Sequence, residues 1–368
     1  MVPIGIIGCG VISGIYFKTL TTVMKNVRIV ACADLIEEKA KTAAETYGIP
    51  KFCSVEELLA DPEIRIVVNL TIPKAHYDIC KAALLAGKSV HVEKPLAVTR
   101  EQGAELVALA AERGLFLGGA PDTFLGAGNQ TCRKLIDDGW IGTPIAAAVN
   151  MIGHGHEGWH PDPAFYYQAG GGPVFDMAPY YLSGLVNLLG PVRTVLGEAK
   201  TTFAQRTVTS APKFGTVIDV EVPTHVNGIL TFAGGATASL TMSFDVWGST
   251  QPRFEIYGTE GSIQVPDPNQ FGGDVLVRRH DRKEWTAMPY SHGYSENSRG
   301  LGVADMAQCI LDGRPRGSNR CSGELAYHVL DVMHALHDAA RKGRRVTLES
   351  TVDRPRPMTM KLLPGAVE

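Results

Sequence analysis

The chain has 368 residues, too many for one comfortable hydrophobic core, so two domains are expected. With 45% hydrophobic and 20% charged residues and 40 glycines it has an ordinary globular make-up, which excludes a disordered or fibrous chain. A formal charge of -3 and the lack of any long Lys/Arg run argue against nucleic acid or an anionic membrane as partner.

Cys9, Cys32, Cys53, Cys80, Cys132, Cys309 and Cys321 are scattered without a C-x-x-C pair, which fits a reducing, cytoplasmic setting better than a disulfide framework. The apolar amino terminus has no basic n-region and is soon broken by glycine, so it does not read as a signal peptide. No apolar run reaches the roughly 18 residues of a membrane span.

In chain order, residues 4–7 predict a short buried strand, followed by Gly8-Cys9-Gly10-Val11-Ile12-Ser13 and a helix to about residue 24. This is the G-x-G-x-x-G pattern with Ser13 in the third slot. The first glycine permits the tight turn, the second lets the backbone approach a pyrophosphate, and the third slot needs only a small residue. The helix amides then face the phosphates.

The next strand, 28–33, ends in Asp34, at about the 20-residue spacing where a carboxylate meets ribose hydroxyls. Leu35 and Ile36 follow, and no Arg or Lys is placed for a 2′-phosphate, so the predicted cofactor is NAD rather than NADP. Gly8, Gly10, Val11, Ile12, Asp34 and Leu35 are its first predicted contacts. A cap on the helix beginning near 37 is the competing role for Asp34.

The alternation continues with a helix over 37–47, a short strand near Phe52, a helix opened by the capping box Ser54-Val55-Glu56-Glu57, and a strand over 66–70. A helix over 75–86 precedes a strand over 89–92, which Pro95 stops because proline has no amide hydrogen for a ladder. Lys94 is thereby placed at the carboxyl edge of a parallel sheet, where ligands bind. On these residues alone, a solvated surface lysine is the simpler reading. A capped helix from Thr99 to about 113 and a sixth strand at 115–117 complete a doubly wound Rossmann domain over residues 1–120.

Gly8 to Ser13, Asp34, Ile72-Pro73-Lys74-Ala75-His76, Ala86-Gly87-Lys88 and Glu93-Lys94-Pro95 together resemble the Gfo/Idh/MocA oxidoreductase family. The resemblance implies further cofactor contacts at Thr71, Ile72, Pro73, His76, Glu93 and Lys94. It also implies a lysine, Lys94, that moves a proton beside the nicotinamide, and a cis proline after it. It continues through Gly170-Gly171-Gly172-Pro173-Val174-Phe175-Asp176-Met177-Ala178-Pro179-Tyr180, which is similar to the family's G-G-G-x-x-x-D-x-G-x-H. Tyr180 stands where most members have histidine, as in the glucose-fructose oxidoreductase and dimeric dihydrodiol dehydrogenase branches. The family's Asn-x-Arg after the sixth strand is replaced by Ala120-Pro121-Asp122, so contacts made by that motif do not transfer.

Residues 121–368 are expected to form an α+β domain for substrate binding and oligomerisation. A helix over 127–138 and a strand over 145–151 lead into an aromatic and histidine-rich loop, residues 154–167. Its Gly and Pro residues preclude a helix, and its composition suits a polar pocket with aromatic faces for a sugar. Phe124, His154, His156, Trp159, His160 and Tyr166 are the predicted substrate contacts, with Lys94, Asp176 and Tyr180. Zinc held by His154, His156 and His160 is the sharper alternative, but an NAD-lysine site needs no metal, and none is predicted.

A helix over 176–189 follows, closed by Gly190-Pro191, which puts Asp176 and Tyr180 on one face; an N-cap aspartate and a buried tyrosine are the structural alternative. Strands over 192–202, 225–232, 237–244, 253–257, 262–265 and 275–279 predict a large, mostly antiparallel sheet. Helices over 302–312 and 323–342 close the chain; Arg299, just before the first, could reach the pocket, with a surface arginine the simpler reading.

The expected activity is NAD-dependent interconversion of a secondary hydroxyl and a ketone on a sugar, glycoside or polyol. Lys94, Asp176 and Tyr180 are its expected catalytic groups. An NAD-retaining glycoside hydrolase acting by transient oxidation and a non-catalytic NAD/sugar sensor are the rivals. The resemblance further implies a homodimer or homotetramer joined through the second sheet.

Overall fold

The computed structural model describes residues 1–360 and 362–368. The first sheet comprises β1 (Val2–Ile7), β2 (Val27–Ala33), β3 (Ile66–Asn69), β4 (Ser89–Val92) and β5 (Leu117–Gly119), all parallel, in the order β2-β1-β3-β4-β5. Its strands are almost wholly buried, because helices cover both faces of a parallel sheet. These are α1 (Ser13–Thr22), α2 (Glu37–Tyr47), α3 (Val55–Ala60), α4 (Pro73–Leu85) and α5 (Arg100–Glu112). Capping boxes at Ser54/Glu57 and Thr99/Gln102 start α3 and α5.

Three differences from the sequence reading have physical causes. The strand expected near Phe52 reduces to a single bridge with Cys32, leaving five strands instead of six. The last strand lies at Leu117–Gly119, two residues later than expected. Its glycines weaken the strand pattern but permit close packing: a Cβ on Gly118 would lie 2.7 Å from Met306, and one on Gly119 would lie 2.7 Å from Ala326. The third is the helix carrying Asp176, which starts a full turn early.

After α6 (Ala127–Asp137), β6 (Pro144–Ile152) opens a second sheet, and α7 (Gly172–Leu189) covers it. The helix was expected from 176, but it begins at Gly172-Pro173, because proline is tolerated in a first helical turn, where no intrahelical amide bond is lost. Asp176 therefore lies inside the helix and is not its cap. The sheet continues with β7 (Val192–Lys200), then β10 (His225–Phe232), β11 (Thr237–Ser243), β12 (Phe254–Gly258), β13 (Gly261–Gln264), β14 (Leu276–Arg279) and β15 (Thr286–Ala287). Before β10 come the short strands β8 (Gln205–Thr207) and β9 (Val217–Asp219), a separate ribbon too brief to show a periodic pattern.

The nine-stranded order is β15-β14-β13-β12-β6-β11-β10-β7-β16, where β16 is Val346–Thr347. Every pairing is antiparallel except β6 with β11. One face is packed and the other open, as the alternating burial of β10 shows. The last helices, α8 (Leu301–Leu311) and α9 (Gly323–Lys342), return to the first sheet. Gly118 bridges Ser322, and Arg100 on α5 pairs with Asp331 and Asp338 of α9 at 2.7 and 2.6 Å.

No helix of the described residues is long and apolar enough to cross a membrane, and all seven cysteines are unpaired. The terminal segment is tied down by Arg320, which pairs with buried Asp305 and donates to the carbonyls of Pro357 at 3.1 Å and Glu368 at 2.8 Å. Arg320→Met leaves Asp305 buried without its partner, and should cost about 3 to 5 kcal/mol, read as a fall in the urea midpoint.

Candidate active site

The carboxyl edge of the first sheet forms a cleft of about 530 Å³ lined by Cys9, Gly10, Val11, Ser13, Ile36 and Lys39, among others. Gly8 makes it possible: its φ is +100°, and a Cβ there would lie 2.7 Å from the Leu70 carbonyl. A Cβ on Gly10 would meet nothing within 4 Å, so that glycine leaves space toward the cleft rather than toward the protein. No side chain caps the start of α1, and its first turn holds no acidic residue. Its amides are available for a diphosphate.

The Asp34 carboxylate spans the loop, accepting from the amides of Cys9 at 2.7 Å and Ile36 at 2.8 Å. The helix cap that competed for this residue is Ile36, without a side-chain bond. Each Asp34 oxygen keeps acceptor capacity for a ribose hydroxyl, and the fixed negative charge opposes a 2′-phosphate. Val11, Leu35, Ile36 and Ile72 are exposed apolar side chains along this edge, a surface suited to flat rings. Uncapped amides, an open Gly10 and a placed carboxylate fit a dinucleotide.

At the end of β4, Glu93 turns inward and accepts from the Tyr16 hydroxyl at 2.7 Å and the Lys94 amide at 2.9 Å. His76 lies beneath the loop with Nδ1 2.7 Å from the Pro95 carbonyl and Nε2 3.0 Å from that of Thr71. Burial lowers the His76 pKa. Both Glu93 and His76 are buried and bonded within the protein, so their side chains brace the lysine loop. The Lys94–Pro95 peptide is cis.

Lys94 reaches across to α7. Its Nζ donates to the Asp176 carbonyl at 2.7 Å and to Asp176 Oδ1 at 2.9 Å, and lies 5.6 Å from the Tyr180 ring centroid. Pro179, inside α7, has no amide hydrogen for the Phe175 carbonyl. The next carbonyl is the one that takes the ammonium.

Burial drives Lys94 toward the neutral amine, but Asp176, with Tyr180 and Glu93, outweighs it and holds the pKa above the ordinary lysine value. Burial likewise opposes the Asp176 charge, yet Lys94 and His156 hold its pKa at about 2. The Tyr180 phenol is raised by burial, against the pull of Lys94 and Arg299.

The loop after β6 approaches from the other side. His156 stacks on Tyr166 with ring centroids 3.6 Å apart, and its Nε2 is 3.6 Å from Asp176 Oδ2. His154 instead stacks on Trp247 at 3.3 Å. His160 packs edge-on against Tyr166 and accepts from the Asp162 amide at 3.0 Å. The three histidines thus serve different neighbours, and among the described residues no cluster of three His, Cys, Asp or Glu could hold a metal. Trp159 is 65% exposed at the rim, while Phe124, predicted to touch substrate, is 2% exposed and belongs to the core.

The sequence reading missed what holds this loop. Arg206, in the β8–β9 ribbon, is buried between Glu157 at 2.9 Å and Asp245. Tyr167 donates to the same Glu157 at 2.5 Å, and the amides of Thr209 and Ser210 bond its carbonyl at 2.9 and 3.0 Å. Arg299 was also misread as a surface residue: it is half-buried, held by Asn269 Oδ1 at 2.7 Å and Asn297 Oδ1 at 2.9 Å, with its charge against Tyr180. The segment that follows Arg299 is held by Asp122, which accepts from the amides of Gly300 and Gly302 at 2.8 and 3.0 Å and whose pKa burial pushes up to about 6. Only the Asn-Ser-Arg-Gly run marked that place in the sequence.

Asp34→Ala removes charged acceptors from the ribose position and should weaken NAD binding by about 10- to 100-fold in calorimetric titration.

Comparison with known proteins agrees with this geometry. The model described as "Oxidoreductase family, NAD-binding Rossmann fold" matches residues 2–119, and the GFO/IDH/MocA C-terminal domain model matches residues 129–264. Trans-1,2-dihydrobenzene-1,2-diol dehydrogenase of Xenopus tropicalis is 27% identical over 317 residues, covering 84% of this chain and 89% of that protein. The 1,5-anhydro-D-fructose reductase of Ensifer adhaerens is 31% identical over 242 residues, 64% of this chain and 67% of the reductase. Among solved structures, levoglucosan dehydrogenase superposes with a TM-score of 0.81 at 22% identity, covering 95% of this chain and 99% of that one, a likeness of fold. The two matching models and the Rossmann cleft together make this chain an NAD-binding oxidoreductase of the Gfo/Idh/MocA family.

Proposed function

We propose that the protein interconverts a secondary hydroxyl and a ketone on a sugar, glycoside or polyol, with Lys94 as the acid/base. The carrying observation is the pair of hydrogen bonds that Lys94 Nζ donates to Asp176, to its carbonyl at 2.7 Å and to Oδ1 at 2.9 Å. Two of its tetrahedral positions are thereby taken, and one remains for a substrate oxygen. As ammonium that position carries a proton to give; as amine it carries a lone pair to receive one. NAD, when bound, supplies the hydride exchange with the carbinol carbon.

Tyr180, four residues from Asp176 on the same helix, donates a hydrogen bond to the same substrate oxygen. Trp159, exposed at the rim, offers a ring face to C–H surfaces, and the Tyr166 hydroxyl adds a polar group, a composition suited to carbohydrate. The relatives named above, a diol dehydrogenase and an anhydro-sugar reductase, support this substrate class. The same reading includes a cytoplasmic setting, favoured by seven unpaired cysteines, and a homodimer or homotetramer joined through the open face of the nine-stranded sheet.

The test is NADH formation across monosaccharides, glycosides, inositols and sugar acids. Release of sugar without net NADH would replace the reading by a glycoside hydrolase acting through transient oxidation. Sugar binding with neither product would replace it by a sensor.

Lys94→Met should abolish turnover while NAD affinity stays within about threefold, since the diphosphate turn at Gly8 to Ser13 and the ribose carboxylate of Asp34 are left intact. Near wild-type turnover in that variant would exclude Lys94. Oxidation needs the amine, and Asp176 holds Lys94 above its ordinary pKa, so the oxidation rate should climb with pH through the alkaline range. Asp176→Asn removes the main raising charge, so its rate–pH profile should shift toward lower pH even though the maximum rate falls.

A further inference from the structure

His156, expected to touch substrate, also lies against Asp176. Nε2 is turned toward Asp176 Oδ2 at 3.6 Å, and Nδ1 is buried without a partner. Tyr166 covers one face, at 3.6 Å between centroids and 10° between planes, while Phe244 meets the ring edge-on at 4.7 Å. The residue is 9% exposed.

Its backbone is equally fixed. The His156 amide donates to the Tyr167 hydroxyl at 3.2 Å, and that hydroxyl is bonded to Glu157, which Arg206 neutralises. The charged and titratable groups facing the ring are Asp176 from α7 and, behind it, Lys94 from the end of β4. From its own loop come Tyr166 and the Arg206-paired Glu157. Trp159 and Phe244 close the remainder.

Asp176 presents two oxygens, and Lys94 uses only Oδ1. The terminal torsion of an aspartate is broad, so a carboxylate held at one oxygen swings and carries the other off its partner. We propose that His156 is a positioning residue for proton transfer, holding Asp176 Oδ2 so that Oδ1 stays on Lys94. This role rests on the dehydrogenase reading above. A 3.6 Å separation is an ion-pair distance, longer than a hydrogen bond, and contacts of this kind tighten when substrate loads the site. Tyr180 occupies α7 one turn along, so the imidazole reaches the aspartate from a different element, a loop braced by the β8–β9 ribbon.

The test uses three variants of the full chain. His156→Phe keeps the stack on Tyr166 but has no nitrogen; His156→Gln places an amide near the Nε2 position, and His156→Asn near the Nδ1 position. The Phe variant should lose about 10- to 100-fold in kcat, with KM and NAD affinity within about twofold, as misplacement of a catalytic group does. Gln should recover most of that loss and Asn should not. A Phe variant with wild-type kcat, or with raised KM and unchanged kcat, would overturn the proposal, the latter returning His156 to substrate contact. Carbon-13 titration of the Asp176 carboxyl provides a readout without turnover: its pKa, at about 2, should rise by roughly one unit in the Phe variant. No movement there would also overturn it. Wild-type protein that oxidised nothing would count against the dehydrogenase reading alone, because the carboxyl titration stands apart from activity.

Discussion

The site is organised around one partly buried ion pair, Lys94 with Asp176, made between the edge of the parallel sheet and the helix that roofs the second sheet. Separation of 82 residues in sequence means that neither side chain has this environment until both parts of the chain are folded. Two charges taken from water are held only where their geometry and remaining bonds are good. Here the ammonium has a carbonyl as well as a carboxylate, and the surrounding residues serve to keep both in place. Glu93 and His76 fix the loop that carries Lys94, and Pro179 interrupts the amide ladder of the helix that carries Asp176.

The pair also sets the direction in which the site is poised. Burial alone would leave an amine, but the carboxylate wins, so the resting lysine is a proton donor. A donor suits reduction of a ketone, while oxidation must first remove that proton. Glu93 and Asp122, close by, add negative charge, and Arg299 balances part of it beside Tyr180. The site is thus a set of opposed, partly buried charges in which displacement of one alters the others.

Much of this was legible in the sequence. The glycine turn, Asp34 and the Glu93-Lys94-Pro95 element report local backbone geometry, which short motifs encode well. The alternation of strands and helices likewise gave the parallel sheet. What failed was information carried by packing between distant segments. Phe124 lies in an aromatic-looking stretch but is core, and Arg299 is drawn to Tyr180 by a fold that its neighbours do not reveal. The β8–β9 ribbon is three residues per strand, below the length at which alternation shows, yet its Arg206 braces the whole histidine loop. Glycine and proline mark two of the differences, at Gly118-Gly119 and at Gly172-Pro173, where they serve close approach and helix initiation.

The central claim is that Asp176 keeps Lys94 protonated until a substrate oxygen takes or returns its proton. Nitrogen-15 titration of the Lys94 Nζ resonance in the wild-type protein, assigned with Lys94→Met, tests it most directly. The account predicts an ammonium signal that persists above the ordinary lysine pKa of about 10.4. Deprotonation well below that value would contradict it, and would mean that burial, not the carboxylate, governs the lysine.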